Sequence, residues 1–216
     1  MLKAVTQMKI DKAPFIAISR HRLTVDGEGV TTLVCFYGCP LRCKYCINPQ
    51  SFSEETKPAF LTPEELYQKV KIDELYFLAT GGGVTFGGGE PLLYPDFLKE
   101  FRDICGKDWH LCAETSLNVP RENLEKAAKF IDYFIVDIKD TDPDIYLAYT
   151  GKSNEQVISN LKWLVSAAGT DNIIVRLPLI KDYNDESCRD RSEKLLREIG
   201  ITQFDKFTYI IKEGSK

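Results

Sequence analysis

Short runs of β-branched and aromatic residues recur along the chain, and stretches with helical spacing separate them. The runs fall at Thr32–Tyr37, Val84–Phe86, Trp109–Thr115, Asp132–Lys139, Ile173–Leu177 and Lys206–Ile210. Their length and residue types predict strands. The intervening patterns predict helices near Pro95–Cys105, Pro120–Phe130, Asn154–Ala168 and Asp185–Ile199, the last capped by Asn184. A further helix starts at Thr62-Pro63-Glu64-Glu65, which reads as a capping box with proline in the first helical position.

Strand–helix alternation along the whole chain predicts parallel β/α units. Six predicted strands are fewer than the eight of a closed barrel. The expected fold is therefore α/β, a partial and open (β/α)6 TIM-like barrel forming one domain over residues 1–216. In such folds functional side chains gather at the carboxyl ends of the strands and in the loops that follow.

Composition narrows this picture. With 216 residues, 44% hydrophobic and 28% charged, the chain can build a core without disulfides. Apolar runs such as Leu33–Tyr37 and Leu75–Ala79 are too short to cross a bilayer. Lys3, Lys9, Asp11 and Lys12 interrupt the amino-terminal stretch, so no secretory signal is expected. The seven cysteines are odd in number and include a tight cluster, which argues against a secreted disulfide framework and for a reducing cytoplasm. A net charge of −4 without any basic run points away from nucleic acid. Two histidines, His21 and His110, leave a histidine relay poorly supplied.

The chemistry concentrates at Cys39, Cys43 and Cys46, spaced C-x3-C-x2-C with no fourth cysteine close behind. Structural zinc takes four protein ligands, and a cubane iron–sulfur cluster is usually held by four thiolates. Three thiolates suggest a cluster with one open corner. The alternative is structural zinc with Cys35 as fourth ligand, but Cys35 lies inside an apolar strand. Cys105, Cys112 and Cys188 are scattered and read as small buried hydrophobes. A glycine segment, Gly81-Gly82-Gly83-Val84-Thr85-Phe86-Gly87-Gly88-Gly89-Glu90-Pro91, lacks the Gly-Lys-Ser/Thr of a phosphate loop. Its exposed backbone edge, ending in a carboxylate, suits a cationic amine. Asp137 and Lys139 stand two apart on one strand and so point the same way as Ile135. Glu114 and Arg176 interrupt two other apolar strands, so three strands deliver charge near their carboxyl ends. Asp26-Gly27-Glu28-Gly29, before the first of the predicted strands, reads on its own as a tight turn.

Together these segments resemble the radical S-adenosylmethionine superfamily, and within it the glycyl-radical-enzyme activating enzymes of the pyruvate formate-lyase type. The three-cysteine spacing is the superfamily signature. Gly81–Leu92, Val25-Asp26-Gly27-Glu28-Gly29, Asp137-Ile138-Lys139, Thr150-Gly151-Lys152-Ser153-Asn154 and Val175–Ile180 with Asn184-Asp185 follow the activating-enzyme pattern, and the similarity spans about residues 18–210. The resemblance implies a 4Fe–4S cluster on Cys39, Cys43 and Cys46, and S-adenosylmethionine chelating the open iron. One-electron cleavage of the sulfonium would then give methionine and a 5′-deoxyadenosyl radical, which takes a hydrogen from a glycine Cα of a partner glycyl radical enzyme.

By motif position, Gly88, Gly89 and Glu90 would receive the methionine amine, and Tyr45 and Asn48 would help hold the adenosyl group. Asp137, Lys139 and Arg176 would contact ribose and carboxylate. Asp26 would face the incoming glycyl loop, and Glu114, Thr115 and Asp137 would hold a monovalent cation. No cysteine lies between Cys46 and Cys105, so the ferredoxin-like insertion is missing and a single cluster is expected. The final run, Phe207–Ile211, has no histidine to touch the cofactor. The resemblance further implies a flavodoxin- or ferredoxin-type electron donor and a monomer. Two other readings stand beside it. One is a radical S-adenosylmethionine enzyme acting on a small molecule or peptide, similar to a deazapurine synthase. The other is a non-catalytic zinc-binding protein.

Overall fold

The computed structural model describes residues 12–23 and 25–210. Lys3, Lys9 and Asp11, and everything after Ile210, lie outside the described residues. The strands are β1 (Ala13–Leu23), β2 (Val30–Phe36), β3 (Ala59–Leu61), β4 (Gly83–Gly87), β5 (His110–Thr115), β6 (Tyr133–Asp137), β7 (Ile173–Leu179) and β8 (Gln203–Thr208). The helices are α1 (Pro63–Val70), α2 (Glu74–Thr80), α3 (Pro95–Cys105), α4 (Arg121–Ala127), α5 (Pro143–Thr150), α6 (Glu155–Ala168) and α7 (Glu186–Ile199).

All eight strands form one sheet in the order β3-β1-β2-β4-β5-β6-β7-β8. From β2 to β8 every neighbouring pair is parallel, which makes six parallel strands. β3 and β8 end the sheet without pairing to each other, so the barrel is partial and open, as the sequence predicts. β1 and β3 add an antiparallel edge that the sequence did not announce. Two register shifts break the alternation of β1, and β3 has three residues, too few to show a period.

The helix-facing residues of the parallel strands, Val84, Phe86, Leu111, Phe134, Val136 and Val175, are fully buried under a helical layer. Phe97, Leu98 and Phe101 of α3, Leu161 and Leu164 of α6 and Leu196 of α7 contribute to that layer. Each such side chain contributes about 1.5–3 kcal/mol on burial. The capping box of α1 is present: the Thr62 hydroxyl accepts from the Glu65 amide at 3.1 Å, and the Glu65 carboxylate accepts from the Thr62 amide at 2.8 Å. α7 corrects one expectation. Asp185 caps it, accepting from the Cys188 amide at 2.9 Å. Asn184 is engaged elsewhere, accepting from the Ile180 amide at 2.6 Å and donating to the Asp140 carboxylate at 3.1 Å. The loops at the carboxyl ends of β2, β4, β5 and β6 carry the cysteines, Glu90, Ser116 and Lys139, respectively.

Candidate active site

The cysteine loop leaves β2 and is fixed by backbone hydrogen bonds on two sides. On one, the Gly89 amide donates to the Phe36 carbonyl at 3.0 Å, and the Glu90 amide to the Gly38 carbonyl at 2.8 Å. A side chain at Gly89 would collide with the Gly38 and Phe36 carbonyls, so glycine is what lets the two segments touch. On the other side, the Arg42 amide donates to the Thr150 carbonyl at 2.9 Å and the Lys44 amide to the Tyr149 carbonyl at 3.1 Å. Cys43 is thereby bracketed against the end of α5. A turn from the Cys43 carbonyl to the Cys46 amide, 3.2 Å, carries the chain to the third thiol.

Burial pushes the Cys39 thiol up to about 12, with Glu90 and the other two sulfurs adding to the effect. Burial likewise pushes Cys43 up to about 11 and raises Cys46. Lys139 acts the other way on Cys43 and Cys46. Three neighbouring sulfurs that resist ionisation call for a positive group to hold them as thiolates. Among the described residues, no three His, Cys, Asp or Glu side chains stand together as ligands for one metal ion. A tetrahedral zinc with bonds of about 2.3 Å needs its sulfurs within roughly 4 Å of one another. A cubane takes each thiolate on a different iron, so its sulfurs form a wider triangle. An all-sulfur donor set of three thiolates fits an iron–sulfur cluster. Cys35 does not join it: burial and then Glu114, Arg22 and Asp26 dominate its surroundings, which places it toward the barrel interior.

The glycine segment meets the loop directly. The Asn48 amide donates to the Gly88 carbonyl at 3.4 Å, and Gly88 holds a left-handed φ of 80°. Glu90 behaves otherwise than its motif position suggests. It is 1% exposed, and its carboxylate accepts from the Thr115 hydroxyl at 2.7 Å, the Ser116 hydroxyl at 2.7 Å, the Ser116 amide at 2.9 Å and the Leu92 amide at 3.2 Å. Burial raises its pKa, and these hydrogen bonds pull it back only in part. The side chain ties the segment after β4 to the end of β5, with both carboxylate oxygens engaged by these donors.

The charged residues converge as the sequence suggests. Arg176 donates to Glu114 at 2.7 Å and to the Val25 carbonyl at 2.7 Å, and lies 3.4 Å from Asp205 and 3.8 Å from Asp26. Lys139 pairs with Asp137 at 3.4 Å. Burial opposes the charge of Lys139, but Asp137, Cys43 and Tyr149 more than offset this and hold its pKa above the usual lysine range. Asp26 is 2% exposed and held by Arg22, so it faces this interior network and not the solvent. The cation trio is not assembled. The Thr115 hydroxyl is turned to Glu90 while Glu114 is turned to Arg176, because neighbouring strand residues point to opposite faces.

Tyr45 packs on Tyr149 and Tyr183 at ring distances of 6.2 and 5.9 Å, and its hydroxyl donates to Asp182 at 3.2 Å. Arg22 and Asp205 were not foreseen. Arg22 lies on β1 and Asp26 in the bend that follows, where a spacing of four does not mark a pair as it would on a helix. Asp205 faces Arg176 only through the β7–β8 register, which local sequence does not reveal.

Residues 33–195 match the Radical SAM superfamily. The (2S)-3-sulfopropanediol dehydratase activating enzyme of Klebsiella oxytoca is 29% identical over 251 residues, covering 87% of this chain and 78% of that enzyme. The pyruvate formate-lyase-activating enzyme of Staphylococcus aureus (strain USA300) is 32% identical over 170 residues, covering 76% of this chain and 67% of that enzyme. Among solved structures, SuiB of Streptococcus suis superposes with a TM-score of 0.63 at 16% identity, over 83% of this chain and 39% of SuiB, a likeness of fold. On the sequence match, the shared fold and these relatives, the chain belongs to the radical SAM superfamily and, within it, to the glycyl-radical-enzyme activating enzymes.

Proposed function

We propose that the chain holds one 4Fe–4S cluster on Cys39, Cys43 and Cys46, binds S-adenosylmethionine beside it, and installs a radical on a glycine of a partner glycyl radical enzyme. The observation that carries this is the backbone junction between the cysteine loop and the glycine edge, where Gly89 and Glu90 amides bond to Phe36 and Gly38 carbonyls. It brings the Gly88–Glu90 backbone against the loop that carries the thiols. When bound, the cluster and S-adenosylmethionine would supply one-electron cleavage of the sulfonium and a 5′-deoxyadenosyl radical able to take a glycine Cα hydrogen.

The chain's own residues supply orientation and charge. The Gly88 carbonyl, steadied by Asn48, accepts an ammonium. Lys139 and Arg176 offer cations to a carboxylate from the strand ends, and Asp137 offers an acceptor to ribose hydroxyls. Arg42, Lys44 and Ile47 are exposed on the cysteine loop, a basic and apolar face suited to an acidic electron donor of the flavodoxin or ferredoxin type.

Anaerobic reconstitution tests the reading. The protein should take up about four irons, as a cubane requires. After reduction it should form 5′-deoxyadenosine from S-adenosylmethionine, and a glycyl radical enzyme added to it should gain a glycyl signal in electron paramagnetic resonance. A colourless protein with one zinc would overturn the proposal. Deoxyadenosine without a glycyl signal on any such partner would favour a small-molecule or peptide substrate.

A further inference from the structure

The turn after β7 holds a residue in a backbone conformation that does not suit it. The Tyr183 amide donates to the Ile180 carbonyl at 3.0 Å, which closes a β-turn with Asp182 in its third place. Asp182 has a φ of 69° there. A positive φ at that place favours glycine or asparagine. In other residues it costs free energy, and it persists only where the surroundings impose it. Asn184 imposes it here. Its side-chain oxygen accepts from the Ile180 amide at 2.6 Å, and its nitrogen donates to the Pro178 carbonyl at 3.2 Å and the Lys139 carbonyl at 3.3 Å. The turn is thus tied both to β7 and to the segment after β6.

The turn makes a contact across the mouth of the barrel. The Tyr45 hydroxyl donates to the Asp182 carboxylate at 3.2 Å. Tyr45 belongs to the cysteine loop after β2, and β4, β5 and β6 lie between β2 and β7 in the sheet. No strand pairing brings these two residues together, so the bond spans the carboxyl-terminal opening. Aromatic rings support it. Tyr183 stands edge-on to Tyr45 at 5.9 Å and to Tyr149 at 5.1 Å, with interplanar angles of 81° and 70°. Edge-to-face packing fixes the plane of the Tyr45 ring, and the carboxylate fixes its hydroxyl end. A tyrosine held at both ends, one residue before Cys46, offers a planar ligand a wall that needs little further ordering on binding.

We propose that Asp182 is a positioning residue for the adenosyl group: it accepts the Tyr45 hydroxyl proton and so holds the Tyr45 ring as a preformed wall of the S-adenosylmethionine site. The unfavourable turn aims the carboxylate at that hydroxyl. The inference rests on the cofactor assignment above and adds to it the residue that orients Tyr45.

The test compares full-length wild type, Asp182→Gly, Asp182→Asn, Tyr45→Phe and the double variant Asp182→Gly with Tyr45→Phe. Two quantities are measured: the melting temperature of the metal-free protein, and the dissociation constant of S-adenosylmethionine from the cluster-loaded protein by anaerobic calorimetric titration. Asp182→Gly suits the positive φ and removes the acceptor. Its melting temperature should equal or exceed that of wild type, while S-adenosylmethionine binds about three- to tenfold more weakly, the worth of one hydrogen bond. Asp182→Asn keeps an acceptor in a residue that the turn favours, so it should restore wild-type affinity. Tyr45→Phe should lose as much affinity as Asp182→Gly, and the double variant no more than either, because one interaction is removed in all three. Equal affinity in wild type and Asp182→Gly overturns the inference alone, and is the result expected if the bond only ties two surface loops together. Losses that add in the double variant overturn it too. A wild-type protein that loads no iron, or loads iron and binds no S-adenosylmethionine, overturns the proposed function, and this inference with it.

Discussion

Arg176 of β7 reaches across β6 to bond Glu114 of β5 at 2.7 Å. Both side chains must lie on the same face of the sheet to meet over an intervening strand, and Ile135 and Asp137 of β6 stand at that crossing. This pair is the centre of the interior network, since Arg176 also draws in Asp26, Asp205 and the Val25 carbonyl.

Glu114 should make stability depend on pH. Burial raises its pKa to about 7; Arg176 lowers it, while Asp26 and Asp137 push it up further. An unfolded glutamate titrates near 4.3. The folded state therefore binds the extra proton between those values, and the contribution is present below pH of about 4.3 and lost as pH rises through about 7. Thermal midpoints measured from pH 5 to pH 8 should fall across that window. Glu114→Gln, which cannot ionise, should flatten the fall; an equal slope in both proteins would contradict the assignment.

Glu90 makes a separate stability prediction. Four donors converge on its buried carboxylate. Glu90→Ala leaves them unpaired, and one buried unsatisfied group costs about 1–3 kcal/mol. Local water entry will recover part of the sum, so a loss of about 3 kcal/mol is expected, which lowers the melting temperature by roughly 6–12 °C in a chain of this size. Calorimetry on the metal-free protein measures this without reference to catalysis.

The parallel strands were legible because their apolar runs are bounded by turn residues and need no partner to be noticed. β1 was hidden because its bulges shift register between Phe15 and Ala17 and again between Ser19 and Arg22. α5 was hidden for another reason: its buried positions are Tyr146, Tyr149 and Thr150, while Leu147 is exposed, so no apolar stripe marks it. At the site, a charge inside an apolar strand exposed Glu114, Arg176 and Asp137. The inward turn of Glu90 was not legible, because it depends on Thr115 and Ser116 arriving from the next strand. Sequence motifs mark which residues gather; strand register decides which way each one faces.

The junction at Gly89 should be intolerant of a single methyl group. A Cβ there would press into the Gly38 and Phe36 carbonyls, which belong to backbone and cannot swing aside. Overpacking of this kind costs about 1–3 kcal/mol, too little to unfold the chain. Gly89→Ala should fold with an unchanged circular dichroism spectrum and yet shift the cysteine loop, so iron uptake drops at least several-fold. Full iron loading in the variant would show that the loop and the glycine edge are independent.

Lys139 joins the charge network to the cysteine loop and should affect both. Its ammonium lies 3.4 Å from Asp137 and favours ionised Cys43 and Cys46. Lys139→Met keeps the length of the side chain and removes the charge. The two sulfurs then lose the cation that helps hold them as thiolates, and Asp137 loses its partner at the end of β6. Iron should load more slowly and be lost faster to a chelator than in wild type. Binding of S-adenosylmethionine to whatever cluster forms should weaken by about tenfold, the equivalent of one charge-assisted hydrogen bond. Lys139→Arg retains the charge with a different shape, so it should restore cluster retention more fully than cofactor affinity. If methionine and arginine variants behave alike in chelator challenge, the charge of Lys139 does not act on the thiols.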